Sequence, residues 1–120
     1  MMPRVPTESF LPLPAAEFHI LLSLADADRH GYAIMTEVAE RTDGSVRLGP
    51  GTLYGAVRRM LDNGLIDERP ARARAGEDER RRTYRLTARG RAVAKAEAAR
   101  LESLVRHARR KRLLGGLETA

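Results

Sequence analysis

The chain has 120 residues, 42% of them hydrophobic, and it contains no cysteine. This length suits one domain with a modest core, the composition excludes an intrinsically disordered polymer, and the missing thiols exclude disulfides and thiolate metal sites. The net charge of +6 is unevenly placed: residues 1–57 carry four arginines against seven acids, and residues 58–120 carry sixteen arginines and two lysines against nine acids.

A basic half of this kind attracts polyanions, and a merely solvated surface is the alternative. Met1-Met2-Pro3-Arg4 is not followed by an apolar leader, and the longest apolar stretch, Ile20-Leu21-Leu22, is far too short to span a bilayer. The expectation is a cytoplasmic protein with no membrane partner.

Residues 1–13 read as a flexible arm, because Pro3, Pro6 and Pro12 interrupt any regular element. Pro14 suits a first helical turn. Phe18, Leu21, Leu22 and Ala25 then recur at helical spacing and predict a helix over 14–26. His30-Gly31-Tyr32 opens a second helix, with Ala33, Ile34 and Val38 on its apolar face, running to Thr42 before the Asp43-Gly44-Ser45 turn. Val46 and Leu48 alternate with polar residues and predict a very short strand.

Gly49-Pro50-Gly51-Thr52 starts a third helix, with Thr52 or a residue just before it as cap and Pro50 in the first turn. Its apolar face is Leu53, Val57 and Met60, extended by Leu61, and Asn63-Gly64 ends it. Leu65 to Arg69 reads as a strand, Pro70 to Glu79 as a polar loop, and Arg82 to Leu86 as the returning strand. Thr87 caps a last helix that reaches about Leu113, and residues 115–120 read as a disordered tail.

Three helices and a hairpin in this order form a winged helix-turn-helix over residues 14–87, followed by a long helix over 88–114. The fold class is therefore mainly α with a small β-hairpin, and its third helix is the candidate for reading a DNA major groove. Opposite its core face stand Thr52, Tyr54, Gly55, Arg58 and Arg59. Thr52 and Tyr54, in the first turns, are candidates for base edges or nearby phosphates, and Gly55 lets backbone approach closely. Arg58 and Arg59 suit guanine or phosphate. The free amides at the helix start suit a phosphate. The alternative is a Tyr54 packed into the core with both arginines solvated.

The hairpin loop and its flanks hold Arg69, Arg72, Arg74, Arg80, Arg81 and Arg82, set against Glu77, Asp78 and Glu79. Arginines on a wing fit phosphates or a narrow minor groove, and Arg80 and Arg81 are the strongest candidates. A loop of mixed charge simply facing water is the alternative.

In the last helix Ala94, Leu101, Leu104, Val105 and Ala108 recur at helical spacing. A helix of roughly 25 residues is about 37 Å long. One small core does not cover it, and a second copy is the simplest partner. Leu101, Leu104, Val105 and Ala108, with Phe18 of the first helix, are the dimerisation candidates. A frayed, solvated helix is the alternative.

Four blocks together resemble the PadR family of transcriptional regulators: His30-Gly31-Tyr32-Ala33-Ile34, Leu48-Gly49-Pro50-Gly51-Thr52-Leu53-Tyr54, Asn63-Gly64-Leu65-Ile66, and Arg82-Thr83-Tyr84-Arg85-Leu86-Thr87 with Gly90. The resemblance covers about residues 12–95. It implies a bacterial or archaeal repressor of the smaller subfamily, which has a single C-terminal dimerisation helix. In that family some members release DNA on binding a small-molecule effector. It further implies that Tyr54 and the wing positions near Arg81 and Arg82 face DNA, with Tyr32 and Tyr84 supporting that face. Two positions depart from the pattern: Gly55 stands where relatives often have proline, and Leu61 where an acid is frequent. The chain also lacks the tryptophan that multidrug-responsive relatives use in a pore between subunits.

A dimer implies a pseudo-palindromic operator with half-sites roughly 10 bp apart, or a little more. Two other classes compete: a winged helix that binds protein, and an enzyme. For the enzyme, His19, His30 and His107 fall on separate elements with no metal-ligand spacing, and no phosphate loop or nucleophile elbow is present. No cofactor is expected.

Overall fold

A computed structural model describes residues 6–69 and 82–115. A short 3-10 helix, Thr7–Phe10, precedes α1 (Ala15–Leu24), β1 (Arg29–His30), α2 (Gly31–Arg41) and α3 (Pro50–Asp62). Then come β2 (Ile66–Arg69), β3 (Thr83–Leu86) and α4 (Ala88–Arg110). The strands form one antiparallel sheet in the order β1-β3-β2.

The core lies where α1, α2 and α3 meet one face of this sheet. Ile20, Leu21, Ile34, Leu53, Met60, Leu65 and Val93 are completely enclosed. On α3 the apolar residues recur at helical spacing, so Leu53, Val57 and Met60 are buried as expected. On α1 the buried apolar residues are Ile20, Leu21 and Leu24, while Leu22 and Ala25 face outward. The unbroken apolar run here obscures which side of the helix is the inner one.

The expected strand at Val46 and Leu48 does not form. That segment is irregular, and the Val46 amide donates to the Thr42 hydroxyl at 3.1 Å. The third strand is instead Arg29–His30, paired with β3 as Arg29↔Tyr84 and His30↔Thr83. Two residues have no strand preference of their own, and pairing with a segment more than fifty positions away makes them a strand.

The described part of the arm, residues 6–13, is also not loose. Phe10, Leu11 and Leu13 pack against the core, with Leu13 buried, and the Leu13 amide donates to the carboxylate of Glu97 on α4. The prolines exclude a long helix but leave these apolar side chains free to bury. Residues 1–5 and 116–120 lie outside the described residues.

The wing root and α4 are tied to the end of α3. Gly64, with φ +75, ends α3 in the left-handed region. Thr87 caps α4 by accepting from the Gly90 amide at 2.9 Å, and its hydroxyl donates to the Gly64 carbonyl at 2.7 Å. Arg89 donates to the Asn63 carbonyl at 3.0 Å. Gly90 itself lies against Leu65, whose carbonyl oxygen any Cβ at position 90 would strike. α4 ends at Arg110, three residues short of Leu113, as Arg112 turns left-handed with φ 60.

Candidate nucleic-acid interface

Pro50 occupies the first turn of α3 after Gly49, and no side chain caps this end. Thr52 is exposed and is not the cap. In a helix the earliest amides have no intrahelical acceptor, so Gly51 and Thr52 present theirs outward. A Cβ added at Gly49 or at Gly51 would meet no atom within 4 Å. The fold therefore does not need either glycine for space. Their smallness leaves the tip of α3 narrow and open.

Tyr54 is 43% exposed and follows this tip. Its phenol leans over the start of α2, where a Cβ at Gly31 would strike the hydroxyl. Gly31 makes room for it, so Tyr54 is neither a core residue nor a free side chain. Tyr32, the next residue on α2, is 71% exposed. The two aromatics lie near the starts of α2 and α3.

Arg58 and Arg59 separate in role. Arg58 is exposed and has no ion pair among the described residues. Arg59 donates from Nε to Glu17 Oε2 at 3.0 Å, and that carboxylate on α1 is buried. Its guanidinium passes over Gly55, with Nη1 3.7 Å from where a Cβ would stand. Arg59 thus joins α3 to α1 while remaining 58% exposed.

Between α3 and the hairpin runs a cleft of about 320 Å³ lined by Tyr54, Val57, Arg58, Leu61, Asp62, Glu68, Arg82 and Tyr84. The register pairs Ile66↔Leu86 and Glu68↔Tyr84, which puts Glu68 on the strand face turned toward α3. Arg82 Nη1 lies 2.9 Å from Glu68 Oε1, and the Tyr84 hydroxyl also donates to Glu68. Burial, reinforced by Glu68, pushes the Tyr84 phenol above its ordinary value. Arg80 and Arg81 lie outside the described residues.

Much of the basic half is used within the fold. Arg91 donates to the Ala25 carbonyl at 3.0 Å, at the end of α1, and Arg89 does the same for α3. Arg85 pairs with Asp67 and Arg106 with Glu102. Arg100 grips the buried Glu97 at 2.7 and 2.8 Å, which holds that carboxyl below its usual range. Charge counting alone overlooked Glu17 and Glu68. The hairpin register, which places an acid opposite Tyr84, is the signal that could have found Glu68.

The histidines also have structural positions. His30 Nδ1 accepts from the Ala33 amide at 3.3 Å and caps α2. Burial, reinforced by Arg41, lowers His19 from its ordinary value.

The dimerisation candidates do not share one environment. Phe18 and Leu101 are half-buried, as is Ala108, whereas Leu104 is 51% and Val105 40% exposed. No helix among the described residues is long and apolar enough to cross a membrane.

Comparison with known proteins places this arrangement. The chain matches the transcriptional regulator PadR-like family over residues 20–96. It is 33% identical over 102 residues to the transcriptional regulator Rv3488 of Mycobacterium tuberculosis, covering 85% of each chain. It is also 41% identical over 83 residues to an uncharacterized 37.1 kDa protein in transposon TN4556 of Streptomyces fradiae, spanning 69% of this chain but 22% of that relative.

Among solved structures, a PadR family transcription regulator from hypervirulent Clostridium difficile R20291 is similar at TM-score 0.69 and 26% identity, over 81% of this chain and 97% of that one. Bacillus subtilis PadR, solved in complex with operator DNA, shares the fold at TM-score 0.60 and 19% identity, over 73% of this chain and 47% of that one. Members of the family regulate transcription and are not enzymes. The family match runs from within α1 through α3 and the hairpin into α4, and the mycobacterial relative aligns along most of both chains, so the chain belongs to the PadR-like family of transcriptional regulators.

Proposed function

We propose that this protein is a dimeric repressor that binds a pseudo-palindromic operator through α3, the start of α2 and the wing. The carrying observation is the tip of α3, where two glycines meet nothing of their own chain and the amides of Gly51 and Thr52 face outward. A surface kept bare with no internal need suits close approach of another backbone, and outward amides suit phosphate. The operator complex of Bacillus subtilis PadR supports the same reading by analogy of fold.

In this reading Thr52, Tyr54 and Arg58 meet base edges or adjacent phosphates, and Gly55 permits the approach. Tyr32, Arg82 and the wing arginines Arg80 and Arg81 meet the backbone. Arg59 contributes chiefly through Glu17, by setting α3 on α1. The second copy docks along α4 on Leu104 and Val105, with Leu101, Ala108 and Phe18 at the margin. A small-molecule effector that releases the DNA belongs to this proposal by family resemblance, and the protein acts in the cytoplasm.

The test is anisotropy titration of the region upstream of the protein's own gene against random duplexes at physiological salt. Preference for the upstream region is expected, by about 10³-fold or more. Equal binding of both would overturn sequence-specific repression. For the effector, metabolite screening by thermal shift is expected to find a compound that also lowers DNA affinity. Hits that leave DNA affinity unchanged would make the repressor constitutive.

A further inference from the structure

α2, the first helix of the helix-turn-helix, is fastened at both ends by the same kind of atom. At its start the amide of Ala33 donates to Nδ1 of His30 at 3.3 Å. In its last turn Arg41 reaches back to α1, donating from Nη1 to Nδ1 of His19 at 3.2 Å and from Nη2 to the His19 carbonyl at 3.1 Å. Glu37 holds the same guanidinium from within α2, accepting from Nε and from Nη2 at 3.0 Å each. A backbone amide and a guanidinium only donate, so both Nδ1 atoms carry a lone pair. Each ring is therefore neutral, with its proton on Nε2.

We propose that α2 is an acid-released element: a proton on each Nδ1 removes both acceptors, uncaps the start of α2 and frees its end from α1. At His19 the proton also sets a cation against Arg41, and the counter-charge there is Glu37, which Arg41 already engages. The charged side chains that α3 and α4 bring to α1, Arg59 and Arg91, are bound at Glu17 and at the Ala25 carbonyl. At His30 the proton sets a cation on a helix N-terminus, whose dipole disfavours it. Along the two paired strands the charged neighbours of His30 are Asp28, Arg29 and Arg82, of which only Asp28 has the sign that favours a proton. Burial and Arg41 hold His19 below its ordinary value of 6.5. Its contribution is thus fully present above about pH 6.5 and is lost as pH falls through the folded value.

The start of α2 is also where the fold seats Tyr54, whose phenol leans over Gly31, the residue after His30. Exposed Tyr32 follows. Acid therefore loosens the helix beside the tip of α3, and only the docked form of α2 is competent to bind. This consequence for DNA rests on the reading of that face as the DNA interface; the loosening of α2 does not.

Asparagine carries Oδ1 where histidine carries Nδ1 and takes up no proton. A variant with both His19→Asn and His30→Asn keeps both acceptors at every pH. Hydrogen exchange, corrected for the intrinsic effect of pH on amide exchange, and anisotropy titrations of upstream and random duplexes are run at about pH 7.5 and about pH 5.5. In the wild-type protein the α2 amides are expected to lose about ten-fold in protection at the lower pH, more than the rest of the core, as two lost acceptors of cap strength imply. The preference for the upstream duplex is expected to fall by about two-fold or more. Taking the ratio of the two duplexes cancels the gain in affinity that added positive charge gives to both. In the double variant both changes are expected to vanish.

Equal protection of α2 at the two pH values in the wild-type protein overturns the proposal. So does a wild-type acid loss in the double variant, which assigns the loss to other groups. Lost protection with an unchanged preference overturns α2 as a switch of DNA binding. Should the double variant melt early at neutral pH, His30→Asn alone is used, asparagine being a favoured cap, and acid loss in the first turn of α2 must then disappear. Absence of any preference for the upstream duplex at about pH 7.5 condemns the operator reading separately, and the exchange result still decides the behaviour of α2.

Discussion

Gly51 separates what α3 needs from what its partner needs. It is the second residue of the helix, and its surroundings are open. Alanine there reduces the freedom of the unfolded chain and is expected to raise stability by roughly 0.5–1 kcal/mol. The same methyl group stands at the bare tip, so Gly51→Ala is expected to weaken operator binding. Thermal melts paired with anisotropy would show the two effects moving in opposite directions; parallel loss of both would make Gly51 a folding residue. Gly31 behaves in the contrary way. A Cβ there strikes the Tyr54 hydroxyl, and Gly31→Ala is expected to cost about 1–3 kcal/mol of stability. The loss should shrink when Tyr54→Ala is added, because the obstacle is gone. Tyr54→Ala alone is expected to weaken operator binding by about 1–3 kcal/mol, with the fold retained.

Elements differ in how openly their residues declare them. α3 was legible because its apolar spacing, its Pro50 start and its Asn63-Gly64 end all agree. α4 was legible from Thr87 onward for the same reason, since the cap and the periodic face coincide. β1 was not, because Arg29 and His30 acquire their geometry from Tyr84 and Thr83 across the sheet. The candidate site divides likewise. Thr52, Tyr54 and Arg58 follow from helical phase, whereas the ties of Arg59 to Glu17 and of Arg82 to Glu68 join segments remote in sequence or across a hairpin.

At the same scale, the arm is pinned to α4 through a titratable group. Glu97 is buried, accepts from the Leu13 amide and is gripped by Arg100, so its folded carboxyl titrates below its unfolded value. Its contribution is therefore present above about pH 4.5 and lost as pH falls through the folded value. Acid titration of stability is expected to show a loss that Glu97→Gln largely removes. An identical acid profile in the variant would assign the loss to other carboxylates.

The whole molecule is elongated, 58 Å along its longest axis. The second half of α4 leaves Leu104 and Val105 in water, and Leu113 is exposed beyond its end. If these residues form the proposed dimer face, Leu104→Glu combined with Val105→Glu should yield monomers in sedimentation and lower operator affinity, with the melting of the winged domain little changed. A variant that stays dimeric would move the interface elsewhere. The charge distribution also has a different meaning at this scale. Arginines that close the ends of α1 and α3 are structural, so the polyanion footprint is smaller than the net charge of the basic half implies.

The junction where Thr87, Arg89 and Gly90 meet Gly64, Asn63 and Leu65 has a mechanical consequence. It fastens the root of α4 to the end of α3 through the Thr87 and Arg89 side chains on backbone carbonyls and the close seating of Gly90 on Leu65. In the proposed dimer each long helix is then a lever whose short arm is the reading helix. A few degrees of scissoring between the two levers would shift the separation of the reading heads by ångströms. Such a change would alter which half-site spacing the pair can span without any change in the residues that touch DNA.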